Sequence, residues 1–190
     1  MAEVRGEDMQ RRICAAVVAC LDEVGYAETS IGRVQARAEV SRGALTHHFP
    51  TKQALMAETA TRLLDAATVP LKSRAPQPPD EMLAQSWERI VNRAEGRAFV
   101  EILFACRTDA DLNAALEAKL FGWDEEVNAA INAAYQGAGA EADDAALLWS
   151  ITRAFIRGLL IHERFVSDPE HLRRMLRRFG GLLAQEMRLR

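Results

Sequence analysis

The chain reads as an all-α protein, and three features of the sequence lead there. Apolar residues recur at helical spacing over long stretches. Alternating runs of Val, Ile, Thr and aromatic residues, the mark of strands, are almost absent. Two helix-start signals also fall only about three helical turns apart, between Thr29 and Lys52, which leaves room for a compact helical unit and little else. The expected organisation is an N-terminal three-helix helix-turn-helix domain over residues 1–50, then a helical domain over 51–190.

Taken in order, residues 1 to about 7 read as an irregular arm whose Arg5 could reach a minor groove. A first helix follows, with Ile13, Ala16, Val17, Cys20, Leu21 and Val24 on one apolar face, and Gly25 terminates it. Arg11-Arg12 before an apolar run has the outline of a signal peptide. Acids on both sides and the lack of a small-residue cleavage site favour a soluble helix. No apolar run reads as long enough to span a membrane.

Thr29 and Ser30 precede the pattern Ile31, Val34, Ala38 and can cap a second helix. That pattern stops at Glu39-Val40. Ser41 then caps a short third helix, which Pro50 closes near Phe49. Cap, helix, tight turn, cap, short helix is the helix-turn-helix layout, whose second helix lies in the major groove of DNA. Leu45 and Phe49, four residues apart, must pack inward with His48 flanking them. Gly43, Ala44, Thr46 and His47 then form the outer arc, with Arg42 at its edge. Such an arc suits a groove floor: little bulk, hydrogen-bonding groups, and an Arg42 able to pair with guanine. Thr51 and Lys52 open the next helix, where backbone N–H groups and a cation could hold a phosphate.

The residues Gly25-Tyr26, Thr29-Ser30, Val34, Ala38, Val40-Ser41, Gly43, Leu45, His48-Phe49, Lys52 and Leu55 strongly resemble the DNA-binding domain of the tetracycline-repressor (TetR) family. The resemblance covers only the N-terminal quarter of the chain. It implies a set of DNA-contacting residues: Thr29, Ser30, Arg33, Ser41, Arg42, Gly43, Ala44, Thr46, His47 and Lys52. Three positions depart from the pattern. Thr46 replaces a tyrosine that commonly touches a phosphate, Glu39 replaces the turn glycine, and Gln35 stands where a small residue is usual. If Glu39 takes a positive φ, it carries local strain.

The helix begun at Thr51 runs to about Val69-Pro70, and the proline-rich segment 75–79 is the clearest loop. Helices then read over 80–95, 97–107, 109–135 (Asp109 its cap), 141–166 and from Asp168-Pro169-Glu170 onward. The last two carry more apolar residues than one internal face needs. In the resembled family they pair with their copies. That places a homodimer interface on Phe155, Gly158, Leu159, His162, Leu176, Phe179, Gly180 and Leu183. Gly158, Gly180 and Gly181 suit either close helix crossing at such a seam or a locally weakened helix. The family also implies an effector pocket among the central helices, for which Trp87, Phe99, Phe104, Arg107, Trp123, Tyr135, Trp149 and Arg153 are candidates beside a plain core role. Arg153, on an apolar stretch, needs either an acid from a neighbouring helix or an anionic ligand.

A net charge of −3 excludes a nonspecific basic coat for nucleic acid. Between Ser30 and Lys52, however, Arg33, Arg37, Arg42 and Lys52 stand against Glu39 alone, so binding to DNA should weaken steeply with salt. Cys14, Cys20 and Cys106 form no paired motif and read as buried thiols of a reducing cytoplasm. No hydrolase, metalloprotease, P-loop or dinucleotide motif occurs. His47 and His48 point about 100° apart on a helix and suit no shared metal. The sequence thus calls for no cofactor. Its leading reading is a homodimeric transcriptional regulator that binds a roughly palindromic DNA operator and is released by a small-molecule effector. The competing reading is a helical binding dimer that has lost specific DNA reading.

Overall fold

A computed structural model describes residues 2–73, 75–90, 92–139 and 141–190. Among these, the α-helices are α1 (Ala2–Glu28), α2 (Ile31–Ala38), α3 (Arg42–His48), α4 (Lys52–Ser73), α5 (Pro79–Ile90), α6 (Ala94–Ala105), α7 (Ala110–Ala134), α8 (Asp144–His162) and α9 (Pro169–Glu186). Two short strands, β1 (Tyr135–Gly137) and β2 (Met187–Leu189), complete the described elements with a 3₁₀ turn at Glu163–Phe165. The chain divides into two compact units. One takes residues up to Ala66 with Arg93–Leu120, and the other takes Ala67–Asn92 with Phe121–Arg190.

The first unit is built on α1. Its Ile13, Val17, Cys20 and Leu21 are almost wholly buried and lie on one face. They share a core with Leu55 and Met56 of α4, Ala98 and Ile102 of α6, and Leu112 and Leu116 of α7. Each Leu or Ile so enclosed contributes roughly 1.5–3 kcal/mol relative to exposure. Helix α1 already begins at Ala2, where the sequence suggests an irregular arm; the side chain of Arg5 lies outside the described residues. Gly25 breaks α1 as expected, with φ 73° and ψ 178°, and only a turn follows it. The break frees the Tyr26 N–H, which donates to Glu101 Oε2 of α6 at 3.1 Å. Cys14 and Cys20 are buried and Cys106 half-buried, all free thiols, and burial pushes the Cys14 and Cys106 thiols up.

The second unit packs α5, α8, α9 and the end of α7 around Leu83, Trp87, Ile131, Trp149, Ile156 and Leu183. Asp168 caps α9 by accepting from the Glu170 N–H at 2.9 Å, with Pro169 in the first turn, as the sequence predicts. The antiparallel ladder Tyr135↔Leu189, Gln136↔Arg188, Gly137↔Met187 is a departure, since three-residue strands leave no alternating pattern to read. Buried Tyr135 and Met187 hold it, and the Tyr135 hydroxyl donates to the Gln77 carbonyl at 2.8 Å. Helix α8 is also long and apolar enough to cross a membrane by length and composition, contrary to the sequence reading. Its Ala145, Trp149, Thr152, Arg153, Ile156 and Leu159 are buried against the protein's own core.

Packing within the chain already occupies part of the stripe assigned to self-association. Phe155 and Phe179 stack on each other, centroids 4.1 Å apart, between α8 and α9. Leu159 and Leu183 are core residues, and Leu176 packs against the same core. Gly180 lets α9 approach α5, since an added Cβ would lie 3.3 Å from Asp80 Cβ. The apolar residues of α8 left open are instead Leu147, Ile151 and Ile161, on the face that carries Gly158, where an added Cβ meets nothing within 4 Å. His162 is exposed beside them.

Candidate nucleic-acid interface

Helix α2 starts because Ser30, in extended conformation, accepts a hydrogen bond from the Arg33 N–H at 3.2 Å. Thr29 does not share that task. It is fully buried, and its hydroxyl donates back to the Gly25 carbonyl at 2.7 Å, so it braces the end of α1 and faces away from any ligand. Helix α2 stops at Glu39, whose φ of 51° and ψ of 46° put a non-glycine residue in the left-handed region. An Arg12 guanidinium N–H donates to the Glu39 carbonyl at 3.3 Å and helps hold that turn. Ser41 then accepts from the Ala44 N–H at 3.1 Å and starts α3.

The sidedness of α3 follows the sequence pattern. Leu45 is 0% exposed and Phe49 4%, both in the first unit's core, with His48 half-buried beside them. Ser41, Arg42, Gly43, Thr46 and His47 are exposed and Ala44 half-exposed on the other side. A Cβ added at Gly43 meets nothing within 4 Å. Arg42 forms no ion pair or hydrogen bond through its side chain among the described residues. Thr46 has turned inward: its hydroxyl donates to the Arg42 carbonyl at 2.9 Å, leaving lone pairs but no donor for an outside group.

The cations divide unevenly. Arg33 is exposed, with one N–H on the Glu28 carbonyl at 3.2 Å. Arg37 pairs with Glu23 at 2.8 Å. Lys52 has partners within the chain that its position in the sequence does not show. Its Nζ donates to the Tyr26 carbonyl at 2.7 Å and sits 4.1 Å above the Tyr26 ring, half-buried, where desolvation lowers its pKa against the pull of Asp109 and Glu28. Lys52 therefore fastens the start of α4 to the end of α1, and Thr51 caps α4 by accepting from the Ala54 N–H at 3.0 Å. Sequence reasoning missed this node because its partners are remote.

Asp109 completes the node. Its carboxylate accepts from the Tyr26 hydroxyl at 2.6 Å, the Gln53 amide at 3.0 Å and the Leu112 N–H at 3.0 Å. The Tyr26 bond, then those of Leu112 and Gln53, hold its pKa below the usual carboxylate range, while burial and Asp109 push the Tyr26 phenol up. A depressed carboxylate pKa stabilises the fold above the unfolded value near 3.9, and the gain is lost as pH falls through the folded value. Asp109→Asn should accordingly lower Tm at pH 7, with the gap to the parent closing below about pH 4. A gap that stays constant from pH 7 to 3 in thermal melts would contradict the assignment.

With this geometry in view, comparison with known proteins is decisive. The family model described as bacterial regulatory proteins, tetR family, matches residues 13–59. The HTH-type transcriptional regulator CymR of Pseudomonas putida is 30% identical over 182 residues, covering 90% of this chain and 87% of that protein. The chain belongs to the TetR family. It is a DNA-binding transcriptional regulator. Two solved structures share the fold. A transcriptional regulator from Rhodococcus sp. Rha1 has a TM-score of 0.68 at 23% identity, covering 93% of this chain and 96% of that one. A regulator from Saccharomonospora viridis, solved in complex with choline, has a TM-score of 0.62 at 18% identity, covering 91% and 95%.

The effector candidates of this TetR-family chain are divided between the two units. Phe99, Phe104 and Arg107 belong to the first unit, where Phe99 packs on the core while Phe104 and Arg107 are exposed. Trp87, Trp123, Trp149 and Arg153 belong to the second. There Trp149 and Tyr135 line a cavity of about 90 Å³ with Met82 and Ile131, and Trp87 borders an open groove of about 600 Å³ along α5 and α9. Arg153 finds the internal acid allowed for in the sequence: Asp124 of α7, at 2.6 Å.

Proposed function

We propose that this regulator is a cytoplasmic, homodimeric repressor that leaves a roughly palindromic operator when a small molecule binds. Residues 1–50 read DNA and 51–190 carry effector binding and dimerisation. The observation that carries the reading is α3 itself, anchored by Leu45 and Phe49 and open along Arg42, Gly43, Ala44 and His47. Arg42 pairs with a guanine edge, and Gly43 and Ala44 admit the helix to the groove floor. Ser30, Arg33 and Ser41 lie toward the phosphates, whereas Thr46, its one donor spent on the Arg42 carbonyl, offers them nothing. Two such heads engage half-sites roughly 34–36 Å apart or a multiple of it.

One of the cations behind the salt dependence is already paired. Of the four between Ser30 and Lys52, Arg37 holds a carboxylate, while Arg33 and Lys52 donate only to neutral carbonyls and, with Arg42, keep their charge. A dimer then neutralises on the order of six phosphates through this segment, for a log–log salt slope of roughly −5. Footprinting on the chain's own upstream DNA at two salt concentrations tests the proposal. A symmetric protected site supports it, and uniform weak protection supports the helical binder without specific reading. In the same assay Arg42→Ala should cost roughly 1–3 kcal/mol and relax selectivity at one base pair per half-site.

Self-association is assigned to the open face of α8, around Leu147, Ile151, Gly158 and Ile161. Burying these side chains against a copy removes apolar surface that the single chain leaves in water. Gly158→Leu puts bulk in the middle of that face without touching the chain's own packing, so it should shift sedimentation from dimer toward monomer. An undisturbed dimer in analytical ultracentrifugation would remove α8 from the interface. Binding of a small-molecule effector is supported by the choline complex of the Saccharomonospora viridis protein, which shares the fold.

A further inference from the structure

Helices α7 and α8 enclose a group of polar side chains whose pairing is incomplete. Arg153 is 9% exposed. Its terminal nitrogen bonds Asp124 at 2.6 Å, Ser150 Oγ at 2.9 Å and Asn128 Oδ1 at 3.3 Å. Its Nε, however, is buried with no partner among the described residues, and the same is true of the indole N–H of Trp123. The two belong together, since the guanidinium lies 5.2 Å from the Trp123 ring centroid. One helical turn on, Arg157 is half-buried and bonded to no acid among the described residues, its pKa lowered by burial and then by Arg153. Two arginines thus share one carboxylate, and that carboxylate is the exposed member, its side chain 47% accessible.

A group built only for stability would not leave two donors dry and two guanidiniums facing a single carboxylate. We propose that Trp123, Arg153 and Arg157 bind the carboxylate of a small organic acid, which displaces or supplements Asp124. Net charge selects the class. With Asp124 present the site holds one excess positive charge, which suits a monoanion and disfavours a dianion such as phosphate. A planar carboxylate also matches the guanidinium fork. Trp149 precedes Arg153 by one turn on α8, and Val127 and Ile131 follow Trp123 on α7, so the carboxylate site adjoins the unit's apolar core. This assignment rests on the reading of the second unit as the effector-binding part and names the chemistry that it takes.

The test uses the full chain without DNA and three carboxylates of increasing size (acetate, butyrate and benzoate), each paired with its neutral amide at constant ionic strength. Thermal melts and tryptophan emission are the readouts. At least one carboxylate should raise Tm saturably while its amide does not. Arg157→Leu, which keeps the Arg153–Asp124 pair, should weaken that binding about tenfold or more. Three outcomes overturn the proposal: no pair discriminates, Arg157→Leu binds as well as the parent, or chloride reproduces the effect and marks a site for any anion. Gel shifts of the same samples separate the two readings. A carboxylate that binds without releasing DNA leaves this site standing and removes its effector role, whereas DNA released by neutral ligands alone does the reverse.

Discussion

Replacing Gly43 with leucine should weaken operator binding about a hundredfold while leaving the protein as stable as before, or slightly more so. Gly43 is the second residue of α3, its backbone is helical, and a Cβ there meets nothing within 4 Å. The fold therefore has room for the side chain, and leucine is the better helix former by up to about 1 kcal/mol. The cost falls wholly outside the protein. A four-carbon branch on the exposed arc holds α3 off the base edges, and the loss should reach about a hundredfold, or about 2.7 kcal/mol. Gel shift and thermal melting on one sample decide it. A Gly43→Leu protein that binds its operator normally would mean that this side of α3 does not face DNA.

The second large effect runs the other way, through the core. Leu45 is 0% exposed and is the only residue of α3 in the fully buried class, so α3 has little else to hold it. Leu45→Ala removes three carbons and leaves a cavity, at a cost of about 2–5 kcal/mol. Hydrogen exchange should show the amides of α2 and α3 losing protection first, and DNA affinity should fall with them. Helix α1 offers a control. Met9→Ala, at a residue packed on the edge of the same core, should cost much less.

These two predictions lean on the part of the molecule that was legible from sequence, and the reason is locality. Ser30 and Ser41 cap helices whose donors lie three residues away, and Pro50 closes α3 through its immediate neighbour. The sidedness of Leu45 and Phe49 is set by helical geometry alone, and even the left-handed Glu39 was foreseeable from the turn it occupies. The anchoring of Lys52 is hidden for the opposite reason. Its partner is a carbonyl twenty-six positions earlier, which a charge count cannot see. Thr29 misled because a hydroxyl before a helix can turn backward as easily as forward.

Helix α8 shows a different limit. Apolar residues occupy more than one of its faces, so periodicity alone could not tell which face α9 would cover. Phe155 and Leu159 went inward, and Leu147, Ile151 and Ile161 stayed out. The effector candidates are hard to rank from sequence, because an aromatic residue in a helical chain says little about cavity walls. Only the exceptional one, Arg153 on an apolar run, pointed to a spot with unusual chemistry.

The break at Gly25 has a mechanical consequence. Beyond it the Tyr26 N–H depends on Glu101, its ring on Lys52 and its hydroxyl on Asp109, so one residue is gripped from α6, α4 and the start of α7 at once. None of these helices can slide alone without stranding a polar group. The end of α1 thus works as a single rivet through three other helices, placed one turn before the segment that carries α2 and α3.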